Sequence, residues 1–466
     1  MHLSHVHHHH HSRSYEIDML NGPVMPKLLT FALPLILSSV LQLTFNAADV
    51  IVVGRFEGDA ALAAVGAPGA LINLLVNLFL GLSVGANVVV ARWHGAGDFR
   101  QTSQAVHTSM ALSLLGGVAV GLIGFLFSGT FLGWMNTPED VLPLATAYMR
   151  IYFLGMPANM VYNFGAAILR AIGDTRRPLM YLTIAGVVNV VLNIIFVAVF
   201  GLGVSGVALA TITSQVISAV LVVLCLMHSE GSIHLNLKKL GIDGAKAGEI
   251  AKVGLPAGLQ GIFFSFSNVI IQSTVNSFGT IATAGNTAAA NIEGYIYVSM
   301  NAIYQAAITF TSQNVGAYRY DRISRVCWAS LTAVAGIGLV LGMLLMVSMR
   351  ALFHIYTSDD AVIAAACVRS NVIAPTYFLC GMMDTMVGML RGMGSSVTPM
   401  IVSVLGACVF RIIWIALIFP FNPTLNMLYL SYPISWGITY AVHMVCYFHL
   451  KRKKYSGAMA GMTILK

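Results

Sequence analysis

The chain is 466 residues long; 57% of them are hydrophobic, only 9% are charged, and the mean hydropathy is +0.80. A water-facing surface wants roughly a quarter of its residues charged. The 25 Lys+Arg and 17 Asp+Glu available for 49.8 kDa therefore exclude a soluble enzyme, a disordered chain and a fibrous repeat together, and make lipid the solvent for most of the chain.

The N-terminal His-rich run (His2, His5, His7 to His11) reads as a tag or loose tail, and residues 1–23 are set outside the fold. Mostly apolar runs follow at 27–53, 62–90, 104–131, 142–168, 178–200, 204–228, 250–277, 282–312, 325–349, 361–389, 398–420 and 425–450. Each has the length that crosses a bilayer as a helix, about 20 residues. The first, Leu28 to Val53, is too long for a signal-peptide core and has no small-residue cleavage site after it, so it is expected to remain as a span. The six cysteines (Cys225, Cys327, Cys367, Cys380, Cys408, Cys446) lie in or beside these runs without a CxxC pair and read as apolar fillers.

The net charge of +8 is no nucleic-acid footprint, because the bases sit in short loops where they report topology. Twelve spans put both termini on one side. Twenty bases fall on that side, and only Arg55 and Arg350 on the other, beside Glu57, Asp59, Glu139, Asp140, Asp359 and Asp360; Arg150, Arg369 and Arg411 fall inside spans. Both termini are therefore expected in the cytoplasm.

The chain also repeats itself. Leu169-Arg170-Ala-Ile-Gly173, with Pro178, recurs as Leu390-Arg391-Gly-Met-Gly394, with Pro399, at a displacement of 221; Gly95-Ala96 recurs as Gly316-Ala317. Leu33-Pro34 with Asn46 recurs as Leu255-Pro256 with Asn268 at 222. Because each half holds six spans, the halves enter from the same side, as parallel repeats about an axis along the membrane normal. The expected fold is an all-α integral membrane protein of two six-helix bundles, 24–228 and 250–450, with a cytoplasmic linker 229–249 and a basic cytoplasmic tail 451–466.

Phe45-Asn46-Ala-Ala-Asp49-Val-Ile-Val-Val-Gly54-Arg55, the paired Leu-Arg-x-x-Gly loops and Gly203-Val-Ser-Gly206-Val-Ala-Leu-Ala-Thr211 resemble the multidrug and toxic compound extrusion (MATE) transporters over nearly all of residues 24 to 450. The resemblance implies twelve helices in two bundles and export of small organic cations in exchange for protons or sodium ions. It also places a functional carboxylate at Asp49.

Carboxylates inside a bilayer are costly, at about 2.5 to 3.5 kcal/mol each on insertion scales, and usually functional. Three fall within spans: Asp49, Glu293 and Asp384. Gln42, Asn46 and Asp49 follow a 0, 4, 7 spacing that stacks them on one helical face. A half-dry carboxylate there serves as a proton carrier or cation ligand, against the plainer reading of a buried Asp satisfied by its neighbours. Asn189 and Asn193, one turn apart, complete a polar pocket with Asp49, joined by Thr211, unless they merely bond across helices. The DinF-like branch implies a second carboxylate at position 193, where Asn193 cannot take a proton; the NorM-like branch implies an acid deep in the seventh span, which offers Gln260, Asn268 and Gln272 instead. The chain thus reads as closer to the DinF-like branch.

Asp384 stands seven residues before Arg391 as Asn163 stands before Arg170, and is either an ion-pair partner of Arg391 or Arg411 or part of transport. Glu293 carries the same two readings, as a second polar site. Promiscuous cation pockets use aromatic faces and methionines, so Tyr295, Met300, Tyr304, Met382 and Met383 join Gln42, Asn46, Asn163, Gln260 and Asn268 as candidate substrate contacts, although packing explains each aromatic or Met alone.

The GxGxxG at Gly201 and the GxSxG at Gly81 lie at no strand-to-helix turn and are dismissed, while Gly117/Gly121, Gly254/Gly258, Gly338/Gly342 and Gly388/Gly392 read as close-packing pairs. No metal-ligand spacing appears, and no cofactor beyond the coupling ion is implied. Exporting a cation makes the protein a transporter rather than an enzyme, whose catalytic pair the three scattered acids do not supply; a monomer in contact with lipid and no nucleic acid is expected. The alternative is a flippase for lipid-linked oligosaccharide or similar cargo, which gains if Arg150, Arg369 and Arg411 converge on one cleft.

Overall fold

The computed structural model describes residues 15–58, 61, 64–65 and 68–464. The His-rich run and Asp59 lie outside the described residues.

Among the described residues the regular structure is helical, without strands. The first half contains Val24–Phe56 (α1), Gly69–Gly95 (α2), Phe99–Trp134 (α3), Leu142–Leu154 (α4), Met156–Ala171 (α5), Arg176–Asn193 (α6) and Val204–His228 (α7). The second contains Gly244–Asn276 (α8), Thr280–Gly316 (α9), Ile323–Tyr356 (α10), Asp360–Ile373 (α11), Tyr377–Gly392 (α12), Val397–Ser403 (α13) and Leu425–Ile464 (α14). Nine helical stretches among the described residues are long and apolar enough to cross a membrane. Asp98, Asp243 and Asp359 cap α3, α8 and α11, each side chain accepting a backbone N–H of the first turn.

Several expected boundaries moved, each for a local reason. The run 142–168 is not one helix but α4 and α5, parted at Gly155 with Pro157 in the first turn of α5. The run 361–389 is parted by the tight turn Ala374–Thr376, which holds Pro375. A proline cannot donate to the preceding turn, so the helix axis breaks there. α8 begins at Gly244, inside the expected linker, because Asp243 caps it. α14 carries on through the expected tail to Ile464, and the Tyr455 hydroxyl anchors it by donating to the Met393 carbonyl at 3.0 Å.

The repeat is visible in the backbone. Gly58 and Gly279, Gly97 and Tyr318, and Gly173 and Gly394 all take positive φ, each pair 221 residues apart. The two Leu-Arg-x-x-Gly loops close alike: Asp174 N donates to Leu169 O at 2.9 Å, and Ser395 N to Leu390 O at 3.0 Å. Both are helix C-caps, where a left-handed residue lets the chain reverse and satisfy the last carbonyls. The halves differ at π-helical stretches: α6 widens at Ile194–Val199, whereas α13 continues through Val404–Val409 and Trp414–Ile418 on either side of a single α-turn, Phe410–Ile413.

One hydrophobic cluster runs through the first half, from Val52 to Ile250, and a second gathers Ala288 to Tyr455. α1 belongs to both: Leu28, Phe31 and Ala32 pack with the second cluster, Val52 and Val53 with the first. α2 and α8 form the closest crossing between halves, with Gly81 and Gly85 set against Gly258 and Gly254, so that a methyl group on any of them would enter the opposing backbone. The other glycine pairs also pack closely: Gly117 and Gly121 against Phe153 to Pro157, Gly338 and Gly342 against Phe378 and Ala374, and Gly388 and Gly392 against Tyr304 and Thr311. On the face that carries the termini the halves are tied together. Gln313 Nε2 donates to Ala171 O at 2.6 Å and Asn314 Nδ2 to Met19 O at 3.1 Å, while within the first half Thr175 Oγ1 donates to Phe31 O at 2.9 Å.

Candidate functional site

The first-half site is built by α1 and α6. Asn189 and Asn193 share a buried face of α6, and Asn193 is its last α-helical residue before the π-helical stretch. Asn189 Nδ2 donates to Asp49 Oδ1 at 2.9 Å, and Asn193 Nδ2 donates to the same oxygen. The Oδ1 atoms of both amides are buried and unpartnered among the described residues. The cluster therefore offers a half-buried carboxylate and two amide oxygens that a rotation would turn inward. A buried acceptor without a donor costs about 1 to 3 kcal/mol, which a cation or a protonated carboxyl would relieve. Thr211 does not join the cluster, because its hydroxyl donates to Val207 O of its own helix at 3.0 Å. Gln42 and Asn46 are exposed, and Asn163 donates to the Asn159 carbonyl at 2.8 Å, so none of these three reaches the cavity described next.

A cavity of about 720 Å³ lies in the second half, walled by α8, α9, α11, α12, α14 and the Phe410–Ile413 turn, with α2 closing one side. Of the predicted contacts, Gln260, Asn268, Tyr304, Met383, Glu293 and Asp384 line it. Met300 does not; it is 2% exposed and packs its sulfur on Gly338 and Gly381. Tyr295 and Met382 are half-buried outside the lining, where Tyr297 takes the place expected of Tyr295. Two residues span about 200° of a helix, and composition does not say which tyrosine turns inward.

Three guanidinium groups line the cavity. Arg369 pairs with Glu293, Nη2 to Oε2 at 3.0 Å and Nε to Oε2 at 3.1 Å, and donates through Nη1 to Asn286 Oδ1 at 2.7 Å. Arg391 donates to Gln260 Oε1 at 2.6 Å, Tyr304 Oη at 3.0 Å and Ser396 Oγ at 3.3 Å. Arg411 donates through Nε to Ser435 Oγ at 3.0 Å, and its guanidinium carbon lies 4.4 Å from the Tyr432 ring centroid and 5.8 Å from that of Trp436. Asp384 lies near Tyr297, Arg391 and Arg411 but forms an ion pair with neither arginine; Arg369 with Glu293 is the membrane-buried pair among the described residues. The convergence on which the flippase reading depended does not occur at this cavity: Arg369 and Arg411 line it, and Arg150, exposed on α4, does not. Sequence reasoning did not pair Arg369 with Glu293, which stand 76 residues apart, and it did not single out Asn286, Tyr432 or Trp436.

Apolar helices in tandem halves, a carboxylate held by two amides and a charged cavity between packed helices are the anatomy of a multipass membrane transporter. The chain belongs to the MatE family, whose model matches residues 34–195 and again 256–417. It is similar to the probable multidrug resistance protein YpnP of Bacillus subtilis (strain 168), 27% identical over 84% of this chain and 88% of that one. It is also similar to the multidrug export protein MepA of Staphylococcus aureus (strain NCTC 8325 / PS 47), 23% identical over 90% and 91%. Among solved structures, a MOP superfamily transporter from Pyrococcus furiosus, described as having reverse polarity of its binding pocket, superposes with a TM-score of 0.87 at 21% identity, covering 93% of this chain and 97% of that one. An outward-facing multidrug resistance MATE family transporter superposes at 0.86 and 22% identity, covering 93% and 98%.

Proposed function

We propose that the protein is a secondary active exporter of amphipathic organic cations, driven by protons or sodium ions entering at Asp49. The carrying observation is the cluster of half-buried Asp49 with buried Asn189 and Asn193, whose two amide oxygens have no donor among the described residues. The names of the relatives, multidrug resistance and multidrug export, support the cargo class. In this reading twelve membrane-crossing segments form two six-helix bundles, 24–228 and 250–450, in a monomer with cytoplasmic termini in the inner membrane. The bundles rock about the α2 and α8 crossing. The hydrogen bonds of Gln313 and Asn314 hold the termini face shut and must break for substrate to enter from that side. The absence of an interior acid in α8 supports the DinF-like branch.

The cycle follows from the donor set. When an ion neutralises Asp49, its amides no longer face a bare negative charge and α1 is free to shift against α6. Substrate leaves, and loss of the ion restores the two amide bonds. The test is release of preloaded ethidium from proteoliposomes under an imposed proton or sodium gradient, comparing the native chain with Asp49→Asn. Release driven by one gradient and abolished by the substitution is the expected result; release unaffected by Asp49→Asn would sink the assignment.

A further inference from the structure

The cavity in the second half is not the acid-lined, open-faced aromatic box that a simple organic cation selects. Its charged groups are Arg369, Arg391 and Arg411 against Glu293 and Asp384, an excess of positive charge with both acids ionised. A cation is drawn to bare aromatic faces, but here two of the lining rings already carry the protein's own cations: Arg411 lies over Tyr432 and Trp436, and Arg369 5.3 Å from the Tyr432 centroid.

The three arginines are not equivalent. Arg369 spends its fork on Glu293 and Asn286, and Arg391 has a neutral partner at each nitrogen. Arg411 is 3% exposed and bonds only through Nε; Nη1 and Nη2 hydrogen-bond to no described residue, and no carboxylate pairs with it. A guanidinium held by Nε and stacked on a ring presents its outer edge in the geometry that receives a carboxylate. The π-helical stretches on both sides of Phe410–Ile413 set that turn, and Arg411 with it, apart from the regular helix. Nothing in the first half matches it, since 221 residues earlier the chain has Val190.

We propose that this cavity selects amphipathic aromatic substrates bearing a carboxylate, zwitterions foremost, with the carboxylate received by the Nη atoms of Arg411. Asp384, unpaired with either neighbouring arginine, meets the cationic end of such a zwitterion. This names the substrate class of the exporter and rests on the export reading only for the fate of what is bound.

The test separates binding from transport. Purified full-length protein in lipid nanodiscs is titrated at equilibrium, with no gradient, against rhodamine 6G, an ethyl ester, and rhodamine 19, the free acid of the same dye, read by fluorescence polarisation. The acid is expected to bind about tenfold more tightly than the ester, the discrimination of one charge-assisted hydrogen bond. Arg411→Gln should remove that preference and leave the ester affinity within about twofold, while Arg411→Lys, which keeps the charge but loses the fork, should retain part of it. Equal or tighter binding of the ester by the native chain overturns the proposal without reference to any variant, as does an equal loss for both dyes in Arg411→Gln. An acid preference without gradient-driven movement of either dye would sink the export reading and leave the site standing.

Discussion

Glu293→Gln leaves a guanidinium buried without its counter-charge. In the native chain the Arg369 side chain is 11% exposed and Glu293 2%, with contacts of 3.0 to 3.4 Å joining them. Breaking one partner of such a pair costs about 3 to 5 kcal/mol. Arg369 keeps its 2.7 Å bond to Asn286 and its neighbours Tyr429 and Tyr432. The expected loss is therefore at the low end, about 3 kcal/mol. Glu293→Gln combined with Arg369→Met removes both charges and should recover most of it, because the pair exists to neutralise itself rather than to hold the helices together. Intrinsic tryptophan fluorescence during heating in detergent ranks the three proteins, with the double variant nearer the native chain than the single one. The reasoning fails if Glu293→Gln melts within about 1 °C of the native protein, or if the double variant melts below the single.

Gly254→Ala places a methyl group 2.7 Å from Leu82 Cα and 2.8 Å from the Gly81 carbonyl oxygen. Overpacking of that kind costs about 1 to 3 kcal/mol, more than the ~1 kcal/mol of helix propensity it gains, so the apparent melting temperature should fall. Gly336→Ala, with nothing within 4 Å, should raise it; equal behaviour of the two would refute the close crossing. Asn193→Ala keeps Asp49 and its Asn189 bond but removes one amide oxygen from the cluster. Proteoliposome efflux should then need about tenfold more coupling ion for half-maximal rate, with the maximal rate less changed; an unaltered ion dependence would remove Asn193 from the site.

What the residues determine by themselves is whatever depends on local pattern and counting. Hydropathy sets the apolar segments, since each must satisfy its backbone internally within lipid. The 221-residue displacement of Gly173 and Gly394 reappears as matched left-handed caps, because a residue reversing the chain at a helix end obeys local sterics. Asp49, Asn189 and Asn193 were legible as one cluster because spacing puts the two amides on one face and a lone carboxylate in lipid must find a partner.

The second-half cavity was decided by tertiary structure. Glu293 meets Arg369 across two helices, and Arg411 lies between Tyr432 and Trp436 from a third; no periodicity within a helix encodes which of its faces meets which neighbour. Thr211 and Met300 show the converse. Each has the chemistry of a site residue, yet one bonds its own helix and the other fills the core, because rotation about the helix axis, set by packing against neighbours, assigns a side chain to a cavity or to the interior.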